Sequence, residues 1–200
     1  MLLAVDTSAG TSVAVVDREA GILAEHSSDD TRRHAEVVGD LIVACLADAG
    51  IAVSELSGVV AGMGPGPFTG LRVGIAAARA FAVGAGKIVV PVVSHDAVAF
   101  GQDGLFVVAT DARRGEVYWS AYDGPDAVRT RGPELVKAGE LELAVPAGHR
   151  IIRAATVSAG SLGMLAETLY ATGRPFAADE PLYLRSPDVT LSAGPKRVTS

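Results

Sequence analysis

Apolar residues in this chain fall into two patterns, and each predicts its own kind of element. Short continuous apolar runs bounded by glycine, proline or aspartate mark strands buried on both faces. Leu2–Val5, Gly58–Ala61, Ile88–Val93 and Leu105–Ala109 are of this kind. Thr11–Val16 and Glu116–Tyr122 favour β structure and follow the turns Asp6–Gly10 and Asp111–Gly115, so each reads as the second arm of a hairpin. The other pattern is helical. From Arg33 to Ala49 the residues Ala35, Val38, Ile42, Cys45, Leu46 and Ala49 recur at i, i+3, i+4 spacing, and Gly50 stops the helix. Val37, Leu41 and Ala44 add a second apolar face, which implies burial on two sides. A second helix is expected from Gly70 to Val83, with Thr69 as N-cap and Gly84 or Gly86 as its stop.

Later in the chain the pattern is sparser. It gives a short segment at Asp96–Gly101, a turn at Asp123–Asp126, a strand near Arg150–Ala154, a helix near Ala159–Ala171 and a frayed tail at Ser192–Ser200. Strand–helix alternation predicts an α/β layered fold. One echo divides it. Ala4–Val13 and Ala109–Val117 share the plan apolar strand, aspartate, polar–glycine turn, strand. Two such hairpins half a chain apart suggest duplicated lobes facing one another, an N-terminal lobe over 1–99 and a smaller one over 100–200.

Composition narrows this picture. Hydrophobic residues are 49% of the chain and mean hydropathy is +0.34, yet the richest stretch, Val73–Val93, is broken by Arg79, Lys87, Gly84, Gly86 and Pro91. No membrane span is expected from it. The apolar excess belongs to a core or to a protein-binding surface, and with aromatics at 5% that surface would be flat and aliphatic. A net charge of −6, with Arg32-Arg33, Arg113-Arg114 and Lys196-Arg197 the only adjacent basic pairs, argues against unaided nucleic-acid binding. The lone Cys45 excludes a disulfide framework and fits a reducing, cytoplasmic setting. Asp6 interrupts the first apolar run, and no basic segment precedes it, so no signal peptide is expected.

Candidate chemistry sits in the turns. Asp6-Thr7-Ser8 places a carboxylate and two hydroxyls at a hairpin mouth, where they either hold phosphate and a magnesium water or satisfy the turn's own backbone. Asp111 with Arg113 and Arg114 is the matching set on the other lobe; for the two arginines the reading as solvated turn residues is the favoured one. Gly62–Gly70 is rich in glycine and proline and precedes a helix. It is either an anion cradle or a rigid connector that lets the helix pack closely, and it lacks the lysine of a P-loop. His34 and His95 have no spaced partner that would make a metal site, and no catalytic triad spacing is visible.

Taken together, these segments resemble the TsaB (YeaZ) family of the actin-like (ASKHA) superfamily. The resemblance rests on Leu3-Ala4-Val5-Asp6-Thr7-Ser8, Arg33-His34-Ala35-Glu36, Gly64-Pro65-Gly66-Pro67-Phe68-Thr69-Gly70-Leu71-Arg72-Val73-Gly74, Asp111–Tyr118 and Pro181-Leu182-Tyr183-Leu184-Arg185. It implies two actin-like, ribonuclease H-like lobes with mixed sheets flanked by helices, the second lobe reduced. It also implies a non-catalytic scaffold role in forming threonylcarbamoyladenosine on tRNA, bound to the catalytic relative TsaD and helping to recruit the ATPase TsaE, with tRNA met only indirectly. The relative's two metal-binding histidines align with Ser94 and Val98 here, so no metal and no catalytic residue are expected. No cofactor is required, and ATP or ADP with magnesium is expected at most at a shared interface, through Asp6, Thr7, Ser8, Asp111 and Arg113. The docking face would comprise Ala35, Val38, Leu41, Ile42, Cys45, Thr69, Leu71, Arg72 and Ile75, and the same face would pair two copies when the partner is missing. The alternative is a small ATP-binding phosphotransferase or ATPase; a peptidase would need the absent ligands. Three departures stand out: the segment Asp96–Leu105 is short, the C-terminal half is compact, and His95 replaces an apolar residue.

Overall fold

A computed structural model describes residues 1–124 and 126–185. The turn residue Pro125 and the tail expected to fray, Ser192–Ser200, lie outside the described residues. The elements run β1 (Leu2–Asp6), β2 (Thr11–Asp17), β3 (Gly21–Ser28), α1 (His34–Ala49), β4 (Gly58–Gly62), α2 (Phe68–Ala85), β5 (Ile88–Val92) and α3 (Ser94–Ala99). They continue with β6 (Leu105–Arg113), β7 (Glu116–Asp123), β8 (Val128–Lys137), α4 (Leu141–Ala144), β9 (Arg150–Arg153) and α5 (Ala159–Thr172).

The echo in the sequence is a duplicated topology. The first sheet has the order β3-β2-β1-β4-β5 and the second β8-β7-β6-β9. In each, three antiparallel strands are followed by a strand parallel to the first of them: β4 beside β1, and β9 beside β6. Among the described residues the second sheet has no counterpart of β5, and the four-residue α4 stands where the sixteen-residue α1 stands in the first.

Period-two alternation explains why the short runs are apolar throughout. Leu3, Val5, Val13, Val15, Val59 and Ala61 face one core with α1 and α2. Their neighbours Leu2, Ala4, Ala14, Val16 and Val60 face a second core shared with α3, α5 and the inner face of the second sheet, where Phe106, Val108 and Tyr122 lie. Val107, Ala109, Trp119 and Leu141 form a third core behind that sheet. The expected boundary at 99/100 falls between α3 and β6, but α5 from the second half packs on β1, β2 and β3 of the first sheet. A middle helical layer is therefore common to both lobes.

Local differences from the sequence pattern have physical causes. Helix α2 begins at Phe68 with Pro67 in the extended N-cap position, so Thr69 is an exposed first-turn residue and not the cap. Proline's fixed φ and missing N–H suit the entry to a helix. Gly50 and Gly86 close α1 and α2 in the left-handed conformation. Strand β6 runs on through the expected turn to Arg113, with a bulge between Asp111 and Arg113. Helix α2 has the length and composition of a membrane-crossing segment, with mean hydropathy 1.2 over 18 residues, but it packs here on β4 and β1.

Candidate functional site

The turn between β1 and β2 and the loop before α2 fit together as two halves of one lock. Asp6 is buried, and its Oδ1 accepts from the Ser8 amide at 2.8 Å and the Ser8 hydroxyl at 2.5 Å. Its Oδ2 accepts from Ser94 Oγ at 2.5 Å. Ser94 Oγ in turn accepts from the Gly64 amide at 3.0 Å. Thr7 Oγ1 donates to the Gly70 carbonyl at 2.7 Å and accepts from the Gly74 amide at 3.0 Å. Burial pushes the Asp6 carboxyl above its usual range, and the Ser8 and Ser94 donors pull it back in part. Every polar side-chain group of Asp6-Thr7-Ser8 thus has a partner within the chain.

The glycines are what allow this approach. A Cβ at Gly62 would overlap Asp6 Oδ2, and one at Gly74 would overlap Thr7 Oγ1. The loop lies against the hairpin turn with no room for a side chain or a phosphate between them. Of the two readings the sequence left open for Gly62–Gly70, close packing of connector and helix is the one built here.

A cleft of about 480 Å³ opens beside the lock, between the lobes. Arg32, His34, Phe68, Thr69 and Gly70 line it from the first lobe; Arg113, Tyr118, Tyr183 and Arg185 line it from the other side. Tyr118 donates to the Gly66 carbonyl at 3.3 Å, and Arg113 to the Thr31 carbonyl at 3.2 Å, so both bridge the lobes. Arg113 and Arg114 take left-handed φ values of 63° and 53°, uncommon for side-chain-bearing residues. Arg72 stacks on Phe68 at 3.7 Å from the ring centroid and donates to Tyr183 at 3.2 Å. The segment 177–185 is held across the first lobe by Arg79–Asp179 and by the Leu182 amide on the Met63 carbonyl; Arg185 then pairs with Glu116 of the second.

The expected nucleotide residues separate in this geometry. Arg113 lines the cleft; Asp6, Thr7 and Ser8 lie in the lock, and Asp111 is an exposed residue accepting from the Arg113 amide at 3.1 Å. The expected docking residues separate too. Val38, Ile42, Cys45, Leu71 and Ile75 are buried in the core between sheet and helices, so they cannot present a face to a partner. Ala35, Thr69 and Arg72 are exposed and Leu41 is half-buried. The i, i+3, i+4 pattern finds the stripe that faces the chain's own sheet, which is why it selected core residues. Cys45 donates to the Val13 carbonyl, and burial raises its thiol to about 11, an inert state. Val43 and Val83, which the sequence reading passed over, are exposed by 67% and 82% on the outer surfaces of α1 and α2.

The histidines have structural partners. His34 Nδ1 lies 2.8 Å from Thr11 Oγ1. His95 is fully buried, with Nδ1 2.9 Å from Ser120 Oγ and Nε2 2.8 Å from Thr110 Oγ1. Burial, with Arg129 nearby, lowers its pKa to about 3, so it is a neutral bridge between the strands. That accounts for a histidine where an apolar residue was expected. A transition-metal centre built on positions 94 and 98 does not fit these groups: the Ser94 hydroxyl is committed between Asp6 and Gly64, and Val98 packs on the shared core.

Comparison with known proteins adds the following. The family model "TsaD: tRNA N6-adenosine threonylcarbamoyltransferase" matches residues 10–177. An uncharacterized protein of Mycobacterium tuberculosis is 41% identical over 143 residues, covering 70% of this chain and 67% of that one. The tRNA threonylcarbamoyladenosine biosynthesis protein TsaB of Escherichia coli is 32% identical over 126 residues, 60% of this chain and 54% of that protein. The match thus spans about half the length of that relative. The solved structure of YeaZ from Pseudomonas aeruginosa superposes with a TM-score of 0.72 at 26% identity, covering 92% of this chain and 99% of that one.

Proposed function

We infer function from one premise: this chain belongs to the TsaD family, stands with its TsaB (YeaZ) members, and carries their actin-like fold. We propose that it takes part in forming threonylcarbamoyladenosine on tRNA as a non-catalytic scaffold that binds and activates a TsaD-like paralogue. The observation that carries this reading is the lock. The hydroxyls and carboxylate that an actin-like catalyst would turn toward phosphate and metal are spent holding the Gly62–Gly74 segment. What remains for function is a surface.

That surface is the outer side of α1 and α2, where Ala35, Leu41, Val43, Thr69 and Val83 alternate with the exposed charges Glu36, Asp40, Arg72 and Arg79. Its aliphatic positions would supply contact area, and its acidic α1 and basic α2 residues would set the orientation of a partner. The same surface would pair two copies when the paralogue is missing, and the assembled pair would recruit a TsaE-like ATPase, in the cytoplasm. The cationic cleft supports ATP or ADP with magnesium at a junction completed by a partner, since its own lining offers Arg32, Arg113 and the Glu116-paired Arg185 but no carboxylate free to hold the metal. These three arginines are also what an independent ATPase would use, and that second reading requires turnover by the isolated chain.

The test is threonylcarbamoylation of tRNA by the TsaD-like paralogue with and without this chain, alongside co-purification of the two. Modification only when both are present, with a stable complex, is the expected result. A paralogue fully active alone, or ATP turnover by this chain alone, overturns the scaffold reading.

A further inference from the structure

A second groove, of about 510 Å³, lies against the shared helical layer, bounded by the start of α3, β8, the end of α5 and residues 174–177. It shares no lining residue with the interlobe cleft. We propose that it is a binding site for a small organic carboxylate carrying a short apolar chain. This is independent of the scaffold reading.

The argument starts from charge. Three arginines line the groove: Arg129, Arg131 and Arg174. Arg131 is neutralised by a two-pronged pair with Glu134 at 2.8 and 3.0 Å. The one carboxylate in the lining, Asp96, is itself largely buried, accepts from Tyr122 at 2.7 Å, and pairs with Arg129 at 3.3 Å. Two remaining guanidiniums against one carboxylate leave a single unbalanced positive charge in a concave, partly desolvated place. A monoanion complements it; a phosphate dianion would overshoot.

Donor geometry points the same way. Arg129 is oriented by Asp96 on Nε and by the Gly132 carbonyl on Nη1, and only a quarter of its side chain is exposed. Arg174 is oriented by the Asp126 carbonyl on Nη1 at 2.7 Å. A guanidinium carries five N–H donors, so each has capacity beyond these bonds, and its planar fork matches a carboxylate. Val92, Leu165, Leu169 and Phe176 supply an apolar wall. The groove is of a size typical of small-molecule sites, more polar than apolar in its lining, with the oriented guanidiniums set beside that apolar wall. Along its rim β8 is an edge strand, paired only to β7.

The experiment is calorimetric titration of the full chain with hexanoate, acetate, hexanol and inorganic phosphate. Hexanoate should bind saturably, and Arg174→Gln should weaken it by about tenfold or more, the scale of losing a charge-assisted fork. Phe176→Ala should weaken hexanoate while leaving acetate unchanged, which keeps the test valid if Arg174→Gln fails to fold. Absence of saturable hexanoate binding overturns the proposal. So does hexanol binding as tightly, phosphate binding as tightly, or affinity unmoved by both substitutions.

Discussion

Ser94 Oγ donates to Asp6 Oδ2 at 2.5 Å, joining the first residue of α3 to the end of β1. The same oxygen receives the Gly64 amide, so one hydroxyl closes both the hairpin turn and the glycine–proline loop. Ser94→Ala would leave a buried carboxylate oxygen and a buried amide short of a partner. Each such loss costs about 1–3 kcal/mol. The variant should therefore unfold at clearly lower urea concentration, with the slope of the transition unchanged. A double-mutant cycle with Asp6→Asn should show strong coupling; additive effects would mean that the two groups do not act together.

Glycines on one helix should respond oppositely to alanine. At Gly74 a methyl group would collide with Thr7 Oγ1 and dislodge the bonds to Gly70 and Gly74, whereas at Gly84 nothing lies within 4 Å. Gly74→Ala is expected to cost about 1–3 kcal/mol as an overpacking change. Gly84→Ala should stabilise by about 0.5–1 kcal/mol through helix propensity. Thermal melts of the two variants should move in opposite directions from the parent.

His95 sets a pH dependence of known sign. In the folded chain its pKa lies at about 3 against an ordinary 6.5, so the unfolded chain binds more protons between these values. Stability from this group is complete above pH 6.5 and is lost as pH falls toward 3. Asp6 and Asp96, both raised by burial, act in the opposite sense: the folded chain holds their protons longer, so their contribution declines as pH rises above the ordinary 3.8. Replacing His95 with Gln should flatten the acid limb of a plot of unfolding free energy against pH. An unchanged acid limb would mean that the ring is not held neutral.

Much of this architecture was written locally. Leu2–Val5 and Gly58–Ala61 announce strands because both of their faces are covered, and Gly50 announces a helix end because only the left-handed conformation fits there. Two strands escaped because neither β3 nor β8 has a continuous apolar run; the edge strands β5 and β9 were legible. In β3 burial is partial and charged residues intervene, and β8 carries Arg129, Arg131 and Pro133, residues tolerated where one side of a strand is unpaired. At the site, Asp6-Thr7-Ser8 was recognisable as an unusual turn. What it faces was not, because its partners Gly70, Gly74 and Ser94 arrive from far along the chain, and donor groups look alike whether they bind phosphate or backbone.

The proposed docking surface gives the sharpest contrast. Val38 and Val43 lie five residues apart on α1, yet Val38 is buried on the sheet and Val43 is two-thirds exposed. A charge at Val38 would have to be desolvated without a partner, at a cost of several kcal/mol, comparable to the whole stability of an ordinary domain. Val38→Asp should therefore give insoluble or unfolded protein, and it says nothing about partners. Val43→Asp places its carboxylate in water in the free chain, so its melting temperature should stay within a few degrees of the parent. In a complex that carboxylate would be desolvated at the contact, and the penalty returns as lost affinity. Combined with Val83→Asp on the neighbouring helix, the change should abolish co-elution with the TsaD-like paralogue and reduce threonylcarbamoylation to the level of the paralogue alone. Co-elution retained by a folded double variant would move the interface to another face of the molecule.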